Sequence, residues 1–583
     1  MNEIKPEIER VDDLPLLGAM LDAMGVVDIL DEVLPRHGNW KGLSYGKLAE
    51  GWLMYILSES DHRMNQVEAW AEHHQQTLSK VLGEEVRAKD FTDDHLGALL
   101  TQLGKDEFWE VMEDALNQHH LQAFALPRET IRLDGTTAAV YHEVEGHTLI
   151  GYGHSKDHRP DLAQIKTFVA ALDPLALPVV TQPLAGNLGD DPLYVPAIDR
   201  VGESLGPGDW LYVGDTKMEK LATRAHIVGR GEYYLLPLSK KHHQGELLEK
   251  YVREALQDEG SLEVLASDKK GWLLRGRAWE REQRYQKEQG KKKRKKKKSE
   301  KDEKEKKREI TWKERLLVVQ SRTLYEKQRR GLEQRLTNAE TKLRQLTPPP
   351  KQGRRQFREL APLQEQVEQI LNQHQVPEFL EVTYHEETIV RKNRAPQKHY
   401  RVRVRRREEV LEAYLPTLGW RLYVTNAPPE RLSMAEALTL YRGGVPTIER
   451  LFSRLKGRPL GLRPLYLRRD DRIKGLVRLL SIALRVLTLL EFVVRRALEK
   501  EQATLTGLYP GSPKKATARP TAERLLEAFQ EIYLIHIVVS GQKIQYISPL
   551  SPLQNRILQL LKFSSTIYTS LATSLAHPEP LPP

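Results

Sequence analysis

The sequence predicts an α/β chain in several domains whose main sheet carries acidic residues at its strand ends, and three observations predict it. At 583 residues the chain is too long for one ordinary core, so two to four domains are expected. The hydrophobic period is helical up to about residue 125 and drops toward two from about Glu129. Two of the resulting strands run straight into an acid, Asp134 in IRLDGTT and Asp215 in WLYVGDT. A charge is expensive beside apolar β runs such as IRL and WLYV, so these two stand apart from the many solvated surface acids.

Taken in order, residues 1–125 read as an all-helical N-terminal domain: Leu14 to Leu34 is one amphipathic stretch, and Tyr45 to Leu57, Val67 to Leu82 and Asp94 to Leu103 follow, with loop signals between them. Strands are expected at Thr130 to Asp134, Ile165 to Leu172 and Trp210 to Gly214, with a helix over Tyr194 to Glu203 before the last. Strands, then a helix, then a strand ending in the second aspartate is the order an RNase H-like sheet needs, and residues 126–230 are assigned to the first part of such a core. Residues 231–430 read as an inserted domain. Its strand-like stretches, Glu232 to Leu238, Ser261 to Arg275, Tyr400 to Arg405 and Trp420 to Thr425, surround a helical hairpin. In the hairpin Leu332, Leu336, Ala339, Leu343 and Leu346 alternate spacings of four and three, and Leu363, Val367 and Ile370 repeat them after the Pro348 to Pro350 break. The core resumes over 431–500, and 501–583 reads as a linker and tail.

Composition narrows the partners. The formal charge of +10 points to an anionic partner such as nucleic acid. Much of the excess sits in one lysine-rich run from Lys291 to Glu309, with thirteen basic and five acidic residues. Such a block repels itself and reads equally as a solvated extension or a phosphate-tracking arm. The dispersed clusters at Arg401 to Arg407 and Arg450 to Arg472 alternate with apolar residues and are expected to lay a basic face along DNA. With no cysteine, disulfide frameworks and thiolate zinc sites are excluded, which fits a cytoplasmic protein. The N-terminus lacks a signal-peptide core. The most apolar stretch, Gly475 to Val494, is broken by Arg478, Arg485 and Glu491, so it reads as a buried helix and no membrane partner is expected.

Asp134 and Asp215 are followed far downstream by Glu449, in a helix expected to begin at Pro446 and to bury Ile448, Leu451, Phe452 and Leu455. Glu449 and Lys456 are seven apart and share a different face. Three carboxylates of this kind suit Mg2+ or Mn2+, which prefer hard oxygen ligands and promote in-line displacement at phosphorus.

The stretches LDGTTAAVY, GYGHSKDHRPDLAQIK, AGNLGDDP, YVGDTKM, GWRLYVTNAP and YRGGVPTIERLFSRLKGRPLGLRPLY together resemble DDE insertion-sequence transposases of the IS-four type. LSYGKLAEGWLMYILSESDHR and FTDDHLG resemble the helical domain that precedes the core in one subgroup. The resemblance implies that Asp134, Asp215 and Glu449 form a catalytic, metal-binding triad, and that Tyr441, Arg442 and Lys456 bind DNA. It also implies Lys156 and Arg159 as phosphate contacts near the triad. Where the family places its arginine, this chain has Gly444, so Arg442, Arg450 or Arg454 is expected to reach the phosphate instead. The implied activity is hydrolysis at the terminal inverted repeats of an element, then attack of the freed 3′-hydroxyl on target DNA, by at least a homodimer. An RNase H-like nuclease without strand transfer and an inactive DNA-binding derivative are the competing readings. His154 and His158 imitate a zinc pair only on a helix, which Pro160 and the flanking glycines disfavour. Asn187 and Asp190 are expected to shape the turn before a helix. Trp272, Trp279 and Trp312 are each expected in the core, with stacking on a flipped base as the alternative.

Overall fold

The computed structural model describes residues 7–36, 38, 40–239, 244–286, 309–348, 356–391, 394–539 and 542–572. The chain divides into two compact units, Met1–Tyr234 with Thr439–Pro583, and Leu235–Leu438. The lysine-rich run up to Arg308 lies outside the described residues.

The first unit opens with a short strand, β1 (Glu7–Arg10), and then helices α1 (Leu14–Ala23), α2 (Val26–Val33), α3 (Tyr45–Glu59), α4 (Val67–His73), α5 (Gln75–Leu82), α6 (Asp93–Leu103) and α7 (Asp106–Ala123). The stretch expected as one helix over Leu14 to Leu34 is two. Gly25, at φ +66°, takes the left-handed conformation that glycine adopts without a Cβ penalty, and so separates α1 from α2. Ser44 starts α3 by accepting the Lys47 N–H at 3.1 Å, and Leu48, Trp52, Leu53 and Ile56 of that helix are fully buried.

The sheet of this unit follows: β2 (Thr130–Val140), β3 (Ala163–Leu172), β4 (Leu177–Ala185), then α8 (Tyr194–Leu205), β5 (Leu211–Val213) and α9 (Leu221–Gly229). The strand order is β4-β3-β2-β5. The pairs β2·β3 and β3·β4 are antiparallel, while β5 joins β2 in parallel. A parallel neighbour requires a crossover, and α8 is that crossover, packed on β3 and β4. Every residue of β3 is buried, as in a strand covered on both faces.

At β6 (Tyr233–Pro237) the chain passes into the second unit, which holds α10 (Gln244–Gln257), β7 (Glu263–Asp268), β8 (Gly271–Gln286), β9 (Glu309–Ser321), α11 (Arg322–Leu346), α12 (Leu360–His374), β10 (Leu380–Arg391), β11 (Arg394–Arg406), α13 (Glu408–Tyr414) and β12 (Trp420–Thr425). Its strands pair antiparallel in the order β6-β12-β9-β8-β7, and β10 and β11 form a separate hairpin. Helices α11 and α12 make the hairpin that the leucine spacing predicts: Leu332, Leu336, Ala339, Leu343, Leu363 and Val367 share one buried cluster. Pro349 and Pro350 of the expected break lie outside the described residues. In the Arg401 to Arg407 stretch Arg401, Arg405 and Arg406 have carboxylate partners, while Arg403, Arg405 and Arg407 are exposed. Arg401 pairs with Glu387, Arg405 with Glu381 at 3.6 Å, and Arg406 with Glu340 at 2.7 Å and Glu333 at 2.8 Å. Of the tryptophans expected in the core only Trp312 is buried. Trp272 and Trp279 are half-buried under Arg275 and Arg277, at 4.6 and 5.1 Å.

The chain returns along α14 (Met434–Lys456) to the first unit, which ends with α15 (Asp470–Lys500), α16 (Ala522–Glu527), β13 (Tyr533–Val539), β14 (Gln542–Ile547), α17 (Pro552–Leu561) and α18 (Thr566–Thr569). α14 does not start at Pro446 but runs through Gly443, Gly444 and Pro446. An interior proline costs about 3 kcal/mol, and the burial of Ile448, Leu451, Phe452 and Leu455 just beyond it offsets that cost. The apolar stretch Gly475 to Val494 is the middle of α15, which packs on α6, β4 and α17. Its charged residues find partners inside: Arg478 donates to the Leu103 carbonyl and Arg485 to Asn117 Oδ1, both at 2.8 Å. The C-terminal segment is folded in, with β13 bridging β1 and β14 and the Tyr568 hydroxyl donating to the Asp12 carbonyl at 2.9 Å. Among the described residues no helix is long and apolar enough to cross a membrane.

Candidate active site

Asp134, expected to close its strand, lies instead within β2, which runs on to Val140, and Asp215 stands just past the end of β5. Thr130, Ile131 and Arg132 stand opposite Leu211, Tyr212 and Val213 in the parallel pair. Two residues further this register sets Asp134 level with Asp215, whose backbone is still extended at φ −85° and ψ −172°. Adjacent strands are roughly 4.8 Å apart, so the two carboxylates are neighbours. Each has one oxygen tied down. Asp134 Oδ1 accepts the Gly135 N–H at 2.7 Å, and Asp215 Oδ1 accepts the Tyr194 hydroxyl at 2.6 Å and the Lys217 N–H at 2.8 Å. Among the described residues no hydrogen bond reaches either Oδ2.

A cation is built into the same place. Lys156 Nζ lies 3.5 Å from Asp134 Oδ1 and 3.5 Å from Asp190 Oδ2, and donates to the Gly135 carbonyl at 2.5 Å. Its loop is docked on β2, because the Lys156 N–H donates to Thr137 Oγ1 at 3.0 Å. Ser155 Oγ shapes the turn by accepting the Asp157 and Arg159 N–H groups at 3.3 and 3.1 Å. Asp190 also pairs with Lys166 at 2.5 Å. Burial pushes the Asp134 carboxyl above the usual carboxylate range; Lys156 opposes that push and Asp215 adds to it. Burial alone would lower Lys156, but Asp134, Asp190 and Asp215 outweigh it and hold the ammonium above its ordinary value. Tyr194, buried and facing Asp215, is pushed far up, so its hydroxyl stays a donor. Asp190 is held low: burial works against this, and the hydrogen bond from Lys166 and the charge of Lys156 prevail.

Of the remaining expected residues, Glu449 is exposed on α14, and among the described residues no three of His, Asp and Glu stand together as a metal-holding group. Asp134 and Asp215 are therefore brought together, and Glu449 is not joined to them in a three-acid cluster. Its helix is nonetheless fixed along β2 at two points. The Leu440 carbonyl accepts Arg132 Nη2 at 2.9 Å, and Lys456 Nζ meets Asp157 Oδ1 at 2.7 Å, while Asp157 Oδ2 accepts the Ala139 N–H at 3.1 Å. Glu449 lies between these anchors and, two turns before Lys456, shares its face. Arg450 and Arg454, expected at phosphate, turn instead to Glu491, and Arg454 is buried with a second partner, Glu523, at 2.7 Å. Arg159 is exposed and forks onto Asp161 at 2.7 Å. Tyr441 lies 6.0 Å from the Arg132 guanidinium, and Arg442 is exposed. His154 and His158 are exposed on the loop.

Gly444 has a structural explanation. A Cβ there would come within 2.0 Å of Arg132 Nη2, and that guanidinium is fixed by Asp173 at 2.6 Å. The space beside residue 444 belongs to an arginine from the sheet. Sequence reasoning did not single out Tyr194, Lys166 and Asp157, which contact Asp215, Asp190 and Lys456 in turn, and treated Asp190 only as a turn former. The available signal was that Asp157, Lys166 and Asp190 fall inside the matching stretches.

Residues 6–115 match a family model described as a domain of unknown function (DUF4277). No curated protein matches the sequence. Among solved structures the chain is similar to the cryo-EM structure of a piggyBac transposase synaptic complex with hairpin DNA, with 8% identity over 97% of this chain and 86% of that one. The TM-score is 0.33, at which the likeness carries no inference about fold or activity.

Proposed function

We propose that the protein is a DDE-type DNA transposase on an RNase H-like core, which hydrolyses phosphodiesters at element ends and joins the freed 3′-hydroxyl to target DNA. The observation that carries this reading is the level placement of Asp134 and Asp215 on the parallel strands β2 and β5, each with one oxygen held and one unclaimed. The strand order β4-β3-β2-β5 with the α8 crossover is that of an RNase H-like sheet and supports the same reading. A pair of hard carboxylate oxygens fits magnesium or manganese, and Asp134, Asp215 and Glu449 are the residues that would hold them. Such ions supply Lewis acidity and an activated oxygen nucleophile at phosphorus.

The chain's own groups do the positioning. Tyr194 and the Lys217 N–H orient Asp215, and the Gly135 N–H orients Asp134. Lys156 offsets the gathered negative charge while the carboxylates are without another cation. The Lys456–Asp157 pair sets α14 along β2 and leaves Glu449, on the same face as Lys456, as the third carboxylate of the proposed site. Joining two ends calls for two copies of the chain. In each step an oxygen attacks phosphorus and a 3′ oxygen leaves: water attacks first, then the freed 3′-hydroxyl.

The test uses the full chain with Mn2+, a labelled duplex carrying the inverted repeats that flank the reading frame, and a target plasmid. Cleaved and joined products are expected, and both are expected to vanish in Asp134→Ala, Asp215→Ala and Glu449→Ala. Cleavage without joining would establish the nuclease reading instead. DNA binding with neither reaction would establish a non-catalytic DNA-binding protein, the reading that Gly444 at the arginine position favours.

A further inference from the structure

In the first unit an open cleft of about 950 Å³ is lined by Arg450 of α14, Arg495 and Arg496 of α15, and Arg519 from the segment after α15. Its charges do not balance. One carboxylate, Glu491, is shared by Arg450, Arg454 and Arg495, the last at 2.9 Å, and Glu523 takes a further share of Arg454. Arg519 is exposed, and among the described residues no carboxylate pairs with it. Arg496 spans the Phe492 ring at 4.6 Å and donates to the Phe124 carbonyl at 2.6 Å, so its guanidinium is oriented without being neutralised. Burial lowers the Arg495 guanidinium from its usual value, Glu491 works against that, and Arg450, Arg519 and Arg454 push it further down. Glu499 at the rim adds a third carboxylate, and three carboxylates against five guanidiniums leave the cleft a net charge of +2.

A concave surface with low-dielectric walls focuses such a field on an anion, and guanidinium forks suit phosphate oxygens. The volume is roughly thirty times the ~30 Å3 share of one water in the liquid, which is room for a stretch of polymer rather than a lone ion. Pro174, Leu175 and Phe492 give it apolar wall against which sugar and base can lie. We infer that this cleft is a second nucleic-acid site that grips the sugar-phosphate backbone of DNA, apart from Asp134 and Asp215. It rests on the proposed function only for the choice of DNA as the polyanion.

The experiment is anisotropy of a short labelled DNA duplex with the full chain in EDTA, so that no metal chemistry enters, over a range of salt. Arg519→Glu is expected to weaken binding about ten-fold at low salt and to reduce the salt slope by about 1. Glu499→Gln, which removes an exposed acid from the rim, is expected to tighten binding about three-fold at low salt. Lys41→Glu, an equal charge reversal at an exposed residue elsewhere, is expected to leave it unchanged. Equal losses in Arg519→Glu and Lys41→Glu, or no gain in Glu499→Gln, would overturn the inference. So would displacement of the duplex by inorganic phosphate at matched ionic strength, which would make the cleft a small-anion site. Binding that follows these expectations in a chain that never cleaves DNA would remove the proposed function and leave the cleft standing. Cleavage by a chain whose binding ignores all three variants would do the reverse.

Discussion

Tyr194 connects the fold to the proposed metal site through one hydrogen bond, since its ring is buried and its hydroxyl meets Asp215 at 2.6 Å. Tyr194→Phe keeps the ring and deletes the donor; it is expected to cost about 1–2 kcal/mol, measured by urea denaturation, and to weaken Mn2+ uptake. Asp13 gives a pH prediction away from the site. Burial, opposed by a hydrogen bond from Ser58 Oγ at 2.7 Å, pushes its carboxyl from 3.8 up to about 7. Above pH 3.8 the folded chain holds that proton more tightly than the unfolded one, so the stabilisation is full below 3.8 and is lost as pH rises through about 7. Asp13→Asn is expected to flatten that decline, checked by denaturation at about pH 5 and about pH 8. At this scale Asp134 and Asp215 were legible because each is a charge set against an apolar β run, although only Asp215 stands at a strand end. Tyr194 and Asp157 were not, because a tyrosine in a helix and an aspartate in a loop acquire their roles only when distant segments converge.

Among the elements, α14 shows tertiary packing overriding local preference. Two glycines and a proline argued for a break, yet the helix is continuous because Ile448, Leu451, Phe452 and Leu455 are buried and Arg132 needs the bare Gly444 surface. Gly444→Ala drives a methyl into a guanidinium that Asp173 and the Leu440 carbonyl hold in place. A loss of about 1–3 kcal/mol is expected in equilibrium unfolding, and no change there would remove this explanation of the missing arginine. The α11·α12 hairpin is the opposite case. Its heptad-like leucines were readable because a periodic buried stripe needs no distant partner to be recognised, and Leu343→Ala is expected to cost about 2–5 kcal/mol, seen as faster amide exchange in both helices. The α1 and α2 boundary escaped notice because the apolar pattern continues across Gly25, and only its positive φ ends the first helix.

For the whole molecule, the first unit is assembled from both ends of the chain. β1 pairs with β13, α15 packs on α6, and Tyr568 is buried against the backbone at Asp12. Sequence patterning gave the apolar runs of the C-terminal segment but not this closure, since strand pairing across more than five hundred residues leaves no local trace. Removal of residues 512–583 is therefore expected to abolish cooperative unfolding of the first unit rather than trim a tail, as read by calorimetric melting. The strands β2, β3 and β5 and the α8 crossover were legible, whereas β4 and the run of β2 past Asp134 were not, and the ion pairs that occupy Arg450 and Arg454 depended on Glu491, a charge in an apolar helix. The central claim is that Asp134 and Asp215 share a divalent cation, and the direct measurement is calorimetric titration of the full chain with Mn2+. Uptake by the unaltered protein that is lost in both Asp134→Ala and Asp215→Ala is the predicted result; no uptake at all, or uptake unchanged in both variants, would contradict it.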